Sequence, residues 1–155
     1  MTRYAAFLRA MNVGGTTLIG KDDLRKAFER LGTDVRTYIQ SGNVAFTTDK
    51  PLGKVQEEAA AAVRNLGGTD VMVRTQARLQ ELVRKGPAGY VTFLASPGKV
   101  ASIPGLRVVL VDGCDVLTER TPAPKPVYPG VHIEKTLRIT STTRNWNTLV
   151  KMAWL

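Results

Sequence analysis

Residues 35–48 read Val-Arg-Thr-Tyr-Ile-Gln-Ser-Gly-Asn-Val-Ala-Phe-Thr-Thr. Val35, Thr37 and Ile39 alternate on one face, a period of two that suits a half-buried strand. Ser41-Gly42-Asn43 is turn chemistry, because these residues satisfy or relax the backbone locally. Val44 to Thr48 resumes as a second strand, so the stretch predicts a β-hairpin from Val35 to Thr48.

The flanks give the hairpin its context. Downstream, Leu52, Val55, Ala59, Val63 and Leu66 recur at helical spacing, which predicts a helix over 52–66. Asp49 is its expected N-cap and Pro51 stands in its first turn, where a missing N–H costs nothing. Gly67-Gly68 ends it, and Val71 to Arg74 reads as another strand. Upstream, Leu24, Ala27, Phe28 and Leu31 mark a helix over 21–31, with Gly32 as its stop. Arg3 to Met11 is a nearly continuous apolar strand. The order is β-α-β-β-α-β, the ferredoxin-like or split βαβ unit. In that arrangement the first and third strands are neighbours. The loop 12–17 and the turn 40–43 then meet at one edge of the sheet.

The second half is less regular. Thr75 should cap a short helix with Leu79, Leu82 and Val83 inward. Strands are expected at Tyr90–Leu94, Leu106–Val111 and Val116–Arg120, the last two joined through Asp112-Gly113. Thr121 to Gly130 holds four prolines and reads as an extended connector. Ile133–Ile139 reads as a short helix, with a strand as the alternative. A final helix is expected from about Asn145 to Trp154, capped by Thr142 or Thr143. The reading is an α+β protein: a ferredoxin-like βαββαβ unit over 1–75, then a smaller α/β half over 76–155 ending in an amphipathic helix. No repeat with obvious residue identity is visible.

Composition narrows the function. The chain has 155 residues, 43% of them apolar, enough for a core. No run of about 18 apolar residues exists, so no membrane partner is expected, and the cytoplasm is the expected location. One cysteine, Cys114, and one histidine, His132, allow neither an internal disulfide nor a Cys/His zinc cluster. No metal site and no cofactor are expected. A lone histidine is more often a surface or packing residue than a catalytic one. The net charge is +9, and from Arg120 onward six basic residues face one acid, Glu134. Such a field attracts phosphates, nucleic acid or acidic partners, although it also serves solubility.

Three polar constellations stand out. In the last helix Arg144, Asn147, Thr148 and Lys151 share one face by i, i+3, i+4, i+7 spacing, opposite Trp146, Leu149, Val150 and Ala153. Two cations, an amide and a hydroxyl near a helix N-terminus suit an anion. An ordinary solvated face would look the same. Asn12-Val13-Gly14-Gly15 could present successive N–H groups as an anion nest. It is neither a Walker loop nor a dinucleotide fingerprint. Gln40-Ser41-Gly42-Asn43 is dense in neutral hydrogen-bonding groups, of which only Gln40 is more than a turn requires.

Residues 7–15 (Phe-Leu-Arg-Ala-Met-Asn-Val-Gly-Gly), 36–44 (Arg-Thr-Tyr-Ile-Gln-Ser-Gly-Asn-Val) and 142–148 (Thr-Thr-Arg-Asn-Trp-Asn-Thr) resemble, in order, the three signature segments of the family catalogued as domain of unknown function 1697. The resemblance extends over nearly the whole chain. It implies a bacterial-type cytosolic protein with a ferredoxin-like first half. It implies no function, so no catalytic residue is carried over. The regions after Leu94 and before Thr142 are shorter than the family pattern, which implies a trimmed second half.

The resulting expectation is one groove lined by Arg9, Asn12, Gly14, Gly15, Gln40, Ser41, Asn43, Arg144, Asn147 and Lys151. It would serve a binding module for nucleic acid or a phosphorylated, nucleotide-like small molecule. The alternative is an enzyme acting on a small anionic substrate, disfavoured because none of the three segments carries Asp, Glu, His or Cys. A protein-interaction module is the further alternative. It would scatter these residues over the surface.

Overall fold

The computed structural model describes residues 1–9, 19–38, 42–100, 102–103, 105–122 and 129–155. The protein is α+β, built on two antiparallel four-stranded sheets. The first sheet draws on β1 (Thr2–Leu8), β2 (Thr33–Thr37), β3 (Asn43–Thr48) and β4 (Val71–Thr75), with helices α1 (Lys21–Glu29) and α2 (Leu52–Asn65) between its strands. Helix α3 (Gln76–Lys85) follows. The second sheet draws on β5 (Tyr90–Leu94), β6 (Leu106–Asp112), β7 (Asp115–Arg120) and β8 (Ser141–Asn145). Helix α4 (Pro129–Leu137) precedes β8, and α5 (Trp146–Ala153) follows it.

The strand orders are β2-β3-β1-β4 and β6-β7-β5-β8. Renumbered within each sheet, both read second-third-first-fourth. The registers agree as well. Ala5 of β1 faces Arg74 and Phe7 faces Asn43, while Val91 of β5 faces Arg144 and Phe93 faces Asp115. The second sheet therefore repeats the first, and the register aligns identical residues: Tyr4 with Tyr90, Phe7 with Phe93, Leu8 with Leu94 and Arg74 with Arg144.

Three apolar clusters hold the layers. Alternation on β1 sends Tyr4, Ala6 and Leu8 against Phe28 of α1 and Val55, Ala59 and Val63 of α2. It sends Ala5 and Phe7 into a second cluster with α3, α5 and the inner face of the second sheet. There the Phe7 and Phe93 rings stack at 4.2 Å. A third cluster joins the second sheet to Ile133 of α4.

Several local expectations are corrected. α2 starts at Leu52 with Pro51, not Asp49, at its N-cap position, and no side chain caps it. Leu52 is exposed. The helix does end in its glycines: Gly67 has φ +88°, and Gly68 and Gly67 donate back to Val63 and Arg64 carbonyls, a Schellman closure. Gly32 serves a different purpose from a helix stop. A Cβ there would lie 2.3 Å from the Thr47 carbonyl oxygen, so it permits close approach of β3. β2 spans Thr33–Thr37, earlier than expected. α4 begins at Pro129, inside the expected connector.

The largest correction is β8. The last helix begins about where expected, but neither threonine caps it. Ser141–Asn145 is a strand paired with β5, and Asn145 is the N-cap, its side chain accepting from the Thr148 N–H at 2.9 Å. Arg144 thus stands on a strand. On α5 the buried side chains are Thr148, Leu149, Met152 and Ala153, and Val150 is exposed.

Candidate functional site

The site forms where β1 ends and β3 begins. Leu8 N–H donates to the Gly42 carbonyl at 2.9 Å, joining the two strand ends. Gly42 has φ +80°, and a Cβ there would lie 2.8 Å from Cβ of Leu8, so glycine is required twice over. Asn43 is buried, and its Nδ2 donates to the Tyr38 carbonyl at 2.9 Å across the connection between β2 and β3. Its own carbonyl accepts from the Tyr38 N–H at 3.0 Å.

Arg144 reaches this corner from β8. Nε donates to Asn43 Oδ1 at 2.6 Å. Nη2 donates to the Leu8 carbonyl at 2.7 Å and the Gly42 carbonyl at 3.3 Å. Nη1 donates to Thr142 Oγ1 at 2.6 Å, and that hydroxyl donates in turn to the Leu8 carbonyl at 3.2 Å. The guanidinium lies over the Phe7 ring at 5.6 Å. All these acceptors are neutral. Burial pulls the Arg144 pKa down to about 10, so the group remains a cation at neutral pH.

Other expected residues fall around this corner unevenly. Lys151 is exposed on α5, its Nζ 5.9 Å from the centre of the Tyr38 ring. Asn147 is exposed in the first turn of the same helix. Arg9 follows Leu8 directly, but its guanidinium turns to α4 and the approach to β4. It bonds Glu134 at 2.6 Å and lies 3.7 Å from Asp70. Asn12, Gly14, Gly15, Gln40 and Ser41 lie outside the described residues. The structure thus bonds Arg144 to Asn43 and Asn43 to the Tyr38 carbonyl, and sets Lys151 over the Tyr38 ring, with Arg9 next along the chain from Leu8 and turned to Glu134.

A second corner has the same construction and was not found from sequence. Arg74 of β4 stands where Arg144 stands on β8. Its Nε donates to Asp115 at 2.9 Å, and Nη2 donates to the Leu94 carbonyl at 2.9 Å and the Cys114 carbonyl at 3.4 Å. Its guanidinium lies over Phe93 at 5.4 Å. Leu94 N–H donates to the Cys114 carbonyl, as Leu8 does to Gly42. Here an ionic network surrounds the arginine. Arg78 donates to Asp115 at 2.8 Å and to Asp112 at 3.2 Å, and it meets Glu81 at 3.1 Å. Lys85 donates to Asp112 at 2.6 Å. Burial alone would lower the Arg78 pKa, but its bonds to Asp115 and Asp112 outweigh that and raise it. The Lys85 bond, then Arg78, hold the Asp112 carboxyl below its ordinary value. One signal was available. Arg74 and Arg144 each immediately precede a helix N-cap, Thr75 and Asn145.

Among the described residues no group of three or more His, Cys, Asp and Glu is placed to hold a metal ion. His132 is exposed on α4, and Cys114 is half-buried between β6 and β7. Among the described residues no helix is long and apolar enough to cross a membrane.

A family model described as "Protein of unknown function (DUF1697)" matches residues 1–101. That match includes the first two signature segments and ends before the third. One solved structure, described as that of the conserved bacterial protein SP0830 from Streptococcus pneumoniae, is similar with a TM-score of 0.69 and 18% identity. The similarity covers 98% of this chain and 97% of that chain, and it speaks to fold alone. No curated protein matches the chain.

Proposed function

The chain belongs to the DUF1697 family of proteins of unknown function, and on that premise we propose that it is a cytosolic binding module for a phosphate-bearing ligand, nucleic acid or nucleotide-like. The corner formed by Asn43, Arg144 and Lys151 is where the ligand would bind. One observation carries the reading: Arg144 from the C-terminal segment meets strand ends of the N-terminal sheet through neutral acceptors, and Lys151 stands over the Tyr38 ring beside them. Arg144 is fixed by hydrogen bonds from all three guanidinium nitrogens and supplies a pre-oriented positive field. Lys151 is exposed and free to move toward an anion. The exposed amide of Asn147 adds a donor one turn away. The excess charge of +9 assists encounter with a polyanion.

Isothermal calorimetry and thermal melts against nucleotides, sugar phosphates and short oligonucleotides test this at low and moderate salt. We expect a ligand present at 100 times its Kd to add about 2.7 kcal/mol of stability. Lys151→Ala should weaken binding by about three- to tenfold with an unchanged melting temperature. For an oligonucleotide, affinity should fall with salt, with a slope of about 0.9 per neutralised phosphate. If no phosphate-bearing compound shifts the melt or gives a heat, the reading is wrong.

A further inference from the structure

The outer face of α5 carries a stripe that the core does not use. Asn147, Val150, Lys151 and Trp154 recur at i, i+3, i+4 and i+7, and all four are exposed, while Thr148, Leu149, Met152 and Ala153 are buried. The stripe runs about 10 Å along the helix. Val150 is 38% exposed and Trp154 57%. Single exposed apolar side chains need no explanation, but a valine and an indole one turn apart beside a lysine form a patch.

Cations flank this patch. The Trp154 N–H donates to the Lys151 carbonyl at 3.3 Å, which holds the two residues in one turn. Lys151 Nζ stands 5.9 Å from the centre of the Tyr38 ring, so a second aromatic ring lies beside the stripe. Arg36 is exposed two residues before Tyr38, on the same side of the chain by strand alternation. On the other flank α3 runs antiparallel to α5. Gly86 sits against the Trp146 ring at one end, and Gln80 Nε2 donates to the Ala153 carbonyl at 3.0 Å at the other. Arg84 is exposed on α3 between those two contacts. No Asp or Glu follows Glu134, so the stretch 135–155 carries Lys135, Arg138, Arg144 and Lys151 without an acidic side chain of its own.

We propose that this outer face of α5 binds single-stranded nucleic acid, with a base stacked on Trp154 and the phosphates drawn to Lys151, Arg36 and Arg84. The inference rests on the phosphate-binding reading above and deepens it by naming the ligand class. A duplex hides its base faces in the stack, whereas a single strand presents a flat π face and a charge at every nucleotide. The exposed indole matches the first and the flanking cations match the second. A neutral protein partner would cover Val150 and Trp154 but leave the cations unmatched. The shared chemistry is an unpaired base on a phosphodiester backbone, whether of DNA or of RNA.

The test titrates the intact protein at low salt with an oligothymidylate of about 12 nucleotides, the matching oligouridylate, an abasic deoxyribose-phosphate strand of equal length, a duplex of equal length and a nucleoside 5′-monophosphate. Tryptophan fluorescence and calorimetry read the binding. We expect a base-bearing single strand to quench the emission and to bind about tenfold more tightly than the abasic strand or the duplex. The tighter of the two base-bearing strands names DNA or RNA as the source. Trp154→Ala should lower that affinity about tenfold, to the abasic level, with the melting temperature and the affinity for the abasic strand unchanged. Trp154→Phe should keep most of the affinity and lose the quenching. Equal binding of abasic and base-bearing strands would overturn the stacking inference and leave the phosphate-binding reading standing. Binding of the monophosphate without binding of any strand would do the same. A base preference that survives Trp154→Ala would overturn the assignment to this face. A dimer in gel filtration that Trp154→Ala dissociates would overturn it too, since a second copy would then cover the stripe. No binding by any probe would remove both readings.

Discussion

Gly42 and Asn43 illustrate how much a turn reading conveys and where it stops. Both were legible as turn residues, since φ > 0 and local side-chain bonding are short-range properties. That Gly42 also admits the Leu8 side chain is a long-range fact, hidden from sequence. Gly42→Ala should therefore destabilise by about 2 kcal/mol, combining left-handed strain with a steric clash. Urea unfolding reads it. A loss below a few tenths would show that the strand ends separate easily. Arg144 was read as part of one stripe of a helix, and it stands instead on strand β8. Asp112 makes a separate prediction at this scale. Its folded pKa is depressed below 3.8 by Lys85 and Arg78. A depressed carboxyl contributes stability above its unfolded pKa and loses it as pH falls through the folded value. Asp112→Asn should be less stable than the parent at pH 7 and converge with it as pH falls through the depressed folded value. A constant gap across that range would contradict the ion-pair account.

Elements that follow one another without a loop defeated the sequence reading most clearly. Strand β8 passes into α5 at Asn145, which is both the last strand residue and the helix cap. Thr142 and Thr143 favour either a cap or a strand, and only pairing with β5 decides between them. Thr75 does the same between β4 and α3, and there the cap was read correctly because an apolar strand preceded it. Asn145→Ala should cost about 1 kcal/mol through the lost bond to the Thr148 N–H. Asn145→Asp should recover it, as thermal melts would show. Gly86 holds the other end of this packing. A Cβ there would lie 2.3 Å from the Trp146 ring, so Gly86→Ala should displace the indole and cost about 1–3 kcal/mol. Trp fluorescence reports the displacement directly. The repeat of strand order escaped notice because the second half has no described helix between β5 and β6, and because its identities, Tyr4 with Tyr90, Phe7 with Phe93 and Leu8 with Leu94, are few.

The whole molecule is held at its centre by the Phe7–Phe93 stack and the apolar faces of α3 and α5 around it. The α+β class and most strands were legible, because burial on β1 and the helical stripes of α1 and α2 write themselves as apolar period. The meeting of the two sheets was not, since nothing local in Phe93 names Phe7 as its partner. Phe93→Ala should cost about 3–5 kcal/mol and, with the core shared, still give one unfolding transition. Two separated transitions would mean that the sheets unfold independently. The crossing of the arginines reaches further. Arg74 leaves the first sheet to grip the ends of β5 and β7, and Arg144 leaves the second to grip the ends of β1 and β3. Each half lends the other the piece that completes it. A chain severed between α3 and β5 would give two incomplete fragments. Each would display acceptors shaped for a guanidinium found only on its counterpart, so co-expression should restore by complementation what neither fragment can hold alone.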